Sequence, residues 1–178
     1  MLRNADYIYN NIIIADEINT TKKYCKKAQV GVDLSCKAFY IIEDAGRVSL
    51  NKTYVPDYKE VKAGEDGYYY LTPGTYIVET NEGCKFGPND TGYVIQRSSL
   101  NRLGVTLLAC VFDPGFTTQN GKEIKTFTMR VIVDNPKGIY IEKNARVGQM
   151  IIFENEDCDL YDGQFNGGLL KSKLIKGE

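Results

Sequence analysis

The sequence predicts a mostly β domain of the sandwich or barrel class. Turn signals recur about every ten residues, the runs between them are short and β-favouring, and helical periodicity is scarce. Thirteen tyrosines and seven phenylalanines suit pleated surfaces, chiefly as core and cross-strand pairs.

Leu2 to Glu17 is the one long helical candidate. Lys22, Lys23, Lys26 and Lys27 form a basic cluster that reads as a solvated face. Ala38 to Ile42 is an apolar strand that stops at Glu43-Asp44-Ala45-Gly46. Tyr68 to Leu71 runs into the turn Thr72-Pro73-Gly74, and Thr75 to Val78 follows it. Turns at Asn81-Glu82-Gly83 and Gly87-Pro88-Asn89-Asp90 lead to a strand over Gly92 to Gln96, then a single helical turn around Ser99 to Leu103. Val105 to Phe112 is almost unbroken in its apolar character, which predicts a strand buried on both faces. Thr126 to Val133 is β-branched, Asp134 to Gly138 is a turn, and Val147 to Phe153 is a last core strand. The chain has 178 residues, enough for one domain with one core. Residues 1–30 read as an N-terminal extension, and 159–178 as a Gly-rich tail whose composition suits a flexible segment.

Composition narrows the chemistry. The net charge of −1 supplies no global field for nucleic acid or an anionic membrane. No run approaches the roughly 20 apolar residues of a membrane span, and Met1 to Asn10 does not look like a signal peptide, so a cytoplasmic protein is expected. The five cysteines are odd in number and widely spaced, which predicts free thiols rather than a disulfide framework. There is no histidine. That excludes Ser-His-Asp and Cys-His nucleophile systems and the zinc-dependent deaminase signature. Chemistry must rest on carboxylates, arginines, hydroxyls, and bound water or metal.

Four segments could carry it. Arg97-Ser98-Ser99 stands between a strand and a helical turn, where unpaired amides and hydroxyls can meet an anion. Arg97 can fork onto phosphate, and Arg102 lies one turn beyond Ser98 on the same face. The bland alternative is that Ser98 or Ser99 is an N-cap and the arginines are surface residues. Asp113-Pro114-Gly115-Phe116 ends the apolar strand. It is either a turn or a carboxylate placed to activate water, with Phe116 stacking on a sugar or base. Gln149 opens the last core strand with both a donor and an acceptor, to serve a ligand or a loop. Tyr161 to Gly168 is glycine-rich, as either a lid or a plain terminus.

Together and in this order, these segments resemble the dUTPase / dCTP deaminase superfamily, closer to the deaminase-type branch. The likeness runs from about Gly31 to Phe165, most of the chain. Arg97 to Gly104 matches the branch's Arg-Ser-Ser-Leu-x-Arg-Leu-Gly at every fixed position. Gly31-Val32-Asp33-Leu34-Ser35 resembles the first motif, and Leu71 to Gly74 with Glu82 resembles the stretch before the phosphate motif. Asp113 to Phe116 resembles the pyrimidine hairpin, Ala145 to Gln149 the fourth motif, and the tail from Tyr161 the closing segment.

The resemblance implies a distorted jelly-roll, β-barrel-like dUTPase fold in a homotrimer, with a pyrimidine deoxynucleoside triphosphate bound between subunits. It implies phosphate contacts from Arg97, Ser98 and Ser99, Arg102 near the reacting centre, and Gln149, Tyr161 and Gln164 near the nucleotide. It also implies water oriented by Asp113, Phe116 against the deoxyribose, and Mg²⁺ held mainly by the substrate phosphates without a protein metal site.

Departures from the pattern separate the readings. The branch's deaminases carry a glutamate on the strand after the hairpin. Alignment on Asn135 puts Val131 or Ile132 there, and alignment forward from Phe116 puts Glu123 there. The segment between Phe116 and Asn135 is longer than the family's usual hairpin, and Gln164 stands where the tail has a phosphate-binding lysine. The first expectation is a dUTP diphosphatase. The alternatives are a zinc-independent dCTP deaminase using Glu123, which could be bifunctional, and a catalytically weak nucleotide-binding or regulatory protein.

Overall fold

The computed structural model describes residues 1–14 and 22–167 and the backbone of Leu174–Ile175. Eight strands of four residues or more carry the fold among the described residues: β1 Val32–Ile42, β2 Tyr68–Leu71, β3 Gly74–Thr80, β4 Asp90–Gln96, β5 Val105–Leu108, β6 Thr128–Val133, β7 Ile139–Glu142 and β8 Arg146–Glu154. Six of them pair in the order β4-β8-β1-β3-β6-β5. Every neighbouring pair is antiparallel, so one face of each strand can turn inward while the other stays outside. β2 and β7 form a separate two-stranded ribbon.

The sheet almost closes on itself. Just beyond β5, Phe112 meets Gly92 of β4, and the two residues exchange backbone hydrogen bonds of 2.9 Å in each direction. The Gln96 carbonyl oxygen Oε1 also accepts from the Leu107 N–H at 3.0 Å, so both ends of β4 are tied to the β5 segment. The result is the distorted jelly-roll, barrel-like architecture that the motifs implied. Gly92 is required at the closure, because a Cβ there would lie 2.3 Å from the Phe86 ring.

Alternation along the strands fills the barrel. Leu34, Val78, Val105, Val131, Met150 and Ile152 are among the residues that point inward. The N-terminal extension adds Ile8, Ile12 and Ile13, all almost wholly buried. Helix there is shorter than the sequence suggests. One α-turn over Ala5–Tyr7 continues as a π-turn over Ile8–Ile12, and Ile13–Ile14 already pairs with Gly83–Cys84. Glu17 lies outside the described residues. Asn4 caps the first turn by accepting from the Tyr7 N–H at 2.8 Å.

A second expectation needs correction. Val105 to Phe112 is not a strand buried on both faces. β5 stops at Leu108, and Leu108 and Val111 are 39% and 47% exposed. The outward apolar residues line a cleft instead of a second core. The five cysteines are free, as expected. In the basic cluster Lys23, Lys26 and Lys27 are exposed and Lys27 pairs with Asp6 at 2.6 Å, as expected of a solvated face, but Lys22 is half-buried and donates to the Tyr9 carbonyl at 2.6 Å. Among the described residues no helix is long and apolar enough to cross a membrane.

Candidate active site

The phosphate motif sits where β4 ends. The helix Ser98–Arg102 begins with Arg97 as its N-cap residue, in extended conformation and with no side-chain cap bond. Ser98 and Ser99 therefore do not act as caps. Both are exposed in the first turn, as is Arg102 in the last, while Leu100 anchors the turn in the core. Gly104 closes the helix at φ +70°, a left-handed conformation suited to glycine.

Arg97 is more committed than its motif suggests. Its Nε lies 3.1 Å from Asp33 Oδ2, and its Nη1 donates to the Arg146 carbonyl at 3.2 Å. Gln149 Nε2 donates to the other oxygen, Asp33 Oδ1, at 3.1 Å. Arg146 Nη1 lies 3.9 Å from Asp33 Oδ2. Asp33 is 6% exposed, so one buried carboxylate on β1 holds both Arg97 and Gln149. The ladder makes this possible, since β8 lies between β4 and β1 and sets Gln149 directly opposite Asp33. Arg97 therefore has its Nε–H and one Nη1–H committed, and its remaining N–H groups are left to meet an anion. Asp33 belonged to a recognised motif, but its role as their common partner was not foreseen.

Behind this site lies a second buried carboxylate. Glu82 accepts from the Ser35 N–H at 3.0 Å and from Ser35 Oγ at 2.6 Å. Burial outweighs those bonds and pushes its carboxyl up to about 7.

The hairpin residues gather elsewhere. Asp113 and Phe116 line a cleft of about 710 Å³ together with Leu108, Val111, Arg130 and Tyr161. Phe116 packs edge-on against Tyr161, with ring centroids 5.7 Å apart, and against Phe112 at 5.5 Å. The described part of the tail docks on the same turn. The Tyr161 N–H donates to the Pro114 carbonyl at 2.8 Å and the Gly167 N–H to the Thr117 carbonyl at 2.7 Å. Phe165 also lines the cleft. Gln164 turns away and binds the backbone of Thr53, donating to its carbonyl at 3.2 Å.

The long segment after Phe116 has a local explanation. Gln119–Asn120 and Glu123–Ile124 pair as a small hairpin of their own. Glu123 is exposed on it and does not line the cleft. Val131 faces the core at 1% exposure, and Ile132 lies on the other face of β6.

One chain thus brings Arg97 and Gln149 together, and separately Asp113, Phe116 and Tyr161. It does not bring the two groups together. Asp113 follows Phe112, which is bridged to Gly92, and Arg97 lies five residues beyond Gly92, just past the end of β4. At ~3.4 Å per residue the two groups stand about 17 Å apart.

The fold places the chain among distorted jelly-roll barrels, with the Ser98–Arg102 turn at one end of a strand and an apolar cleft at the other. The chain belongs to the dCTP deaminase-like family, whose model matches residues 5–155. A deoxyuridine 5'-triphosphate nucleotidohydrolase of Methanocaldococcus jannaschii is 34% identical over 143 residues, covering 78% of this chain and 86% of that protein. A protein of Aeropyrum pernix, named "Probable deoxyuridine 5'-triphosphate nucleotidohydrolase", is 31% identical over 139 residues, covering 77% of this chain and 82% of its own. The solved 2'-deoxycytidine 5'-triphosphate deaminase of Agrobacterium tumefaciens shares the fold, with a TM-score of 0.50 at 13% identity. That match covers 79% of this chain and 48% of the other, so this chain spans about half of that structure's length.

Proposed function

We propose that this chain is a dUTP diphosphatase, converting dUTP and water to dUMP and diphosphate at sites shared between copies of the chain. One observation carries the reading: a phosphate motif braced by Asp33 and Gln149, and a separate apolar cleft that sets Asp113 beside Phe116. The names of the relatives above support dUTP as the substrate.

The chemistry follows from the residues. Ser98 and Ser99 offer hydroxyls and first-turn amides to the phosphates, and Arg102 and the free N–H groups of Arg97 neutralise their charge. Asp113 takes a proton from water. The water oxygen attacks the α-phosphorus, and the bond to the bridging oxygen breaks to release diphosphate. Phe116 and Tyr161 enclose the nucleoside, and Gln149 stays near the phosphates. A base must lie within about 2.6–3.2 Å of the proton it takes, or one water away. A grip about 17 Å along β4 does not meet that condition, so Asp113 of one copy serves phosphates held by another. The exposed apolar residues Tyr93, Ile95 and Phe153 on β4 and β8 fit such an assembly, for which we take the homotrimer implied by the motifs.

Among the described residues no three acidic or cysteine side chains gather as a metal cage. Mg²⁺, in this reading, is held mainly by the triphosphate oxygens, where it would supply charge neutralisation. The deaminase alternative is weaker, since Glu123 lies outside the cleft and neither Val131 nor Ile132 can move a proton.

The test is product analysis. The protein is incubated with Mg²⁺ and each of dUTP, dCTP, UTP and dTTP, and products are resolved by chromatography. The expected result is dUMP and diphosphate from dUTP, without ammonia. Uracil nucleotides from dCTP would revive the deaminase reading, and binding without turnover would leave the regulatory one. Asp113→Asn should lower kcat by roughly 10²- to 10⁴-fold while nucleotide binding persists; unchanged turnover would remove Asp113 from its role.

A further inference from the structure

We propose that Arg130 reads the base of the bound nucleotide and selects uracil over cytosine; this rests on the dUTP reading above. Arg130 sits in the middle of β6, paired with Leu108 of β5 on one side and Ile77 of β3 on the other. Backbone hydrogen bonds to both neighbours fix where its side chain begins. Arg130 is exposed and lines the same cleft as Asp113 and Phe116. Most of the other lining residues are apolar, among them Ile77, Leu108, Val111 and Met129. Asp113 and Arg130 are the only charged residues of that lining, and among the described residues Arg130 joins no ion pair.

A cation in such a cleft sheds water when a ligand enters and needs an acceptor in return. In the proposed complex Phe116 and Tyr161 of this same cleft enclose the nucleoside, so the nucleoside brings an acceptor within the reach of Arg130. Uracil presents the O4 carbonyl at the position where cytosine presents an amino group. A guanidinium has donors and no acceptor. It therefore bonds uracil O4 and meets the cytosine amino group donor to donor. A site that hydrogen-bonds one ligand group discriminates against the analogue that lacks it, because the protein group is then left unpaired.

Binding measurements on the full chain test this without relying on turnover. Non-hydrolysable imido analogues of dUTP and dCTP are titrated calorimetrically into the wild type, Arg130→Ala, Arg130→Gln and Arg130→Lys, with thermal unfolding as a check on folding. The wild type should prefer the dUTP analogue. Arg130→Ala should lose roughly 10- to 100-fold of its affinity for that analogue and little for the dCTP analogue. Arg130→Gln, which can also accept a hydrogen bond, should shift the preference toward dCTP, whereas Arg130→Lys should keep part of the uracil preference. If Arg130→Ala does not fold, the Gln and Lys variants carry the comparison. An equal loss for both analogues would point to phosphate binding or folding and would overturn the proposal, as would an unchanged preference. A wild type that binds the dUTP analogue selectively but never hydrolyses dUTP would sink the diphosphatase and leave the role of Arg130 standing.

Discussion

At the scale of single residues, burial decides which carboxylates are ordinary. Glu79 and Glu82 are both buried, at 4% and 0% exposure. Burial pushes Glu79 up, but bonds from Lys37, Thr126 and Tyr40 together outweigh it and hold its carboxyl below the usual range. Burial raises Glu82 from 4.5 to about 7, since among the described residues Ser35 is its one side-chain donor. Between those two values the folded protein binds more protons at Glu82 than the unfolded chain does. The stability this group contributes is complete below about 4.5 and is lost as pH rises through about 7. Glu82→Gln does not titrate, so its urea midpoint should fall less between pH 5 and pH 8 than that of the wild type. Parallel midpoint curves would show that Glu82 is already ionised across that range. Asp33 teaches a related lesson. Arg97 and Gln149 were visible as motif residues, but Gln149 meets Asp33 across 116 residues of sequence, a partnership no local spacing reveals.

Among the elements, the turn Ser98–Arg102 is held from behind. The Gly104 carbonyl accepts from the N–H groups of Asp134 and Asn135, at 2.8 and 3.1 Å. A Cβ at Gly104 would lie 3.2 Å from the Asn135 nitrogen, in a left-handed backbone that L residues avoid. Gly104→Ala should therefore cost about 1–2 kcal/mol and raise KM for dUTP more than it lowers kcat, because it displaces Ser98 and Ser99. Thermal unfolding and steady-state kinetics check both parts, and a variant with unchanged Tm and KM would show that the turn tolerates the shift. β5 illustrates the opposite outcome. Its unbroken apolar run suggested burial on both faces, yet the strand stops at Leu108 and Leu108 to Phe112 line a cleft. Periodicity counts apolar side chains; it does not distinguish a core from a ligand-binding wall.

For the whole molecule, barrel closure dictates how a site must be assembled. Bridging Phe112 to Gly92 sends the chain back along β4, which carries Asp113 away from the phosphate motif. If copies share sites, two defective chains can repair one another. Asp113→Asn and a Ser98→Ala/Ser99→Ala double variant should each be nearly inactive alone. Refolded together from denaturant, they should regain a measurable fraction of wild-type activity, since some mixed sites draw an intact Asp113 and an intact grip from different chains. Failure to regain activity, with mixed oligomers verified by mass spectrometry, would place both groups in one chain's site.

Much of this protein was readable before folding. Turn spacing and β-favouring runs identify the barrel class, because they follow from local backbone geometry. The absence of histidine excludes Ser-His-Asp and Cys-His nucleophile systems, and the run from Arg97 to Gly104 marks the family. Tertiary structure decided the rest: that Asp33 braces Arg97, that Glu123 lies outside the cleft while Arg130 lines it, and that Arg97 and Asp113 stand apart along β4. Those facts depend on strand register and on where the sheet closes, and both are set by packing between residues far apart in the chain.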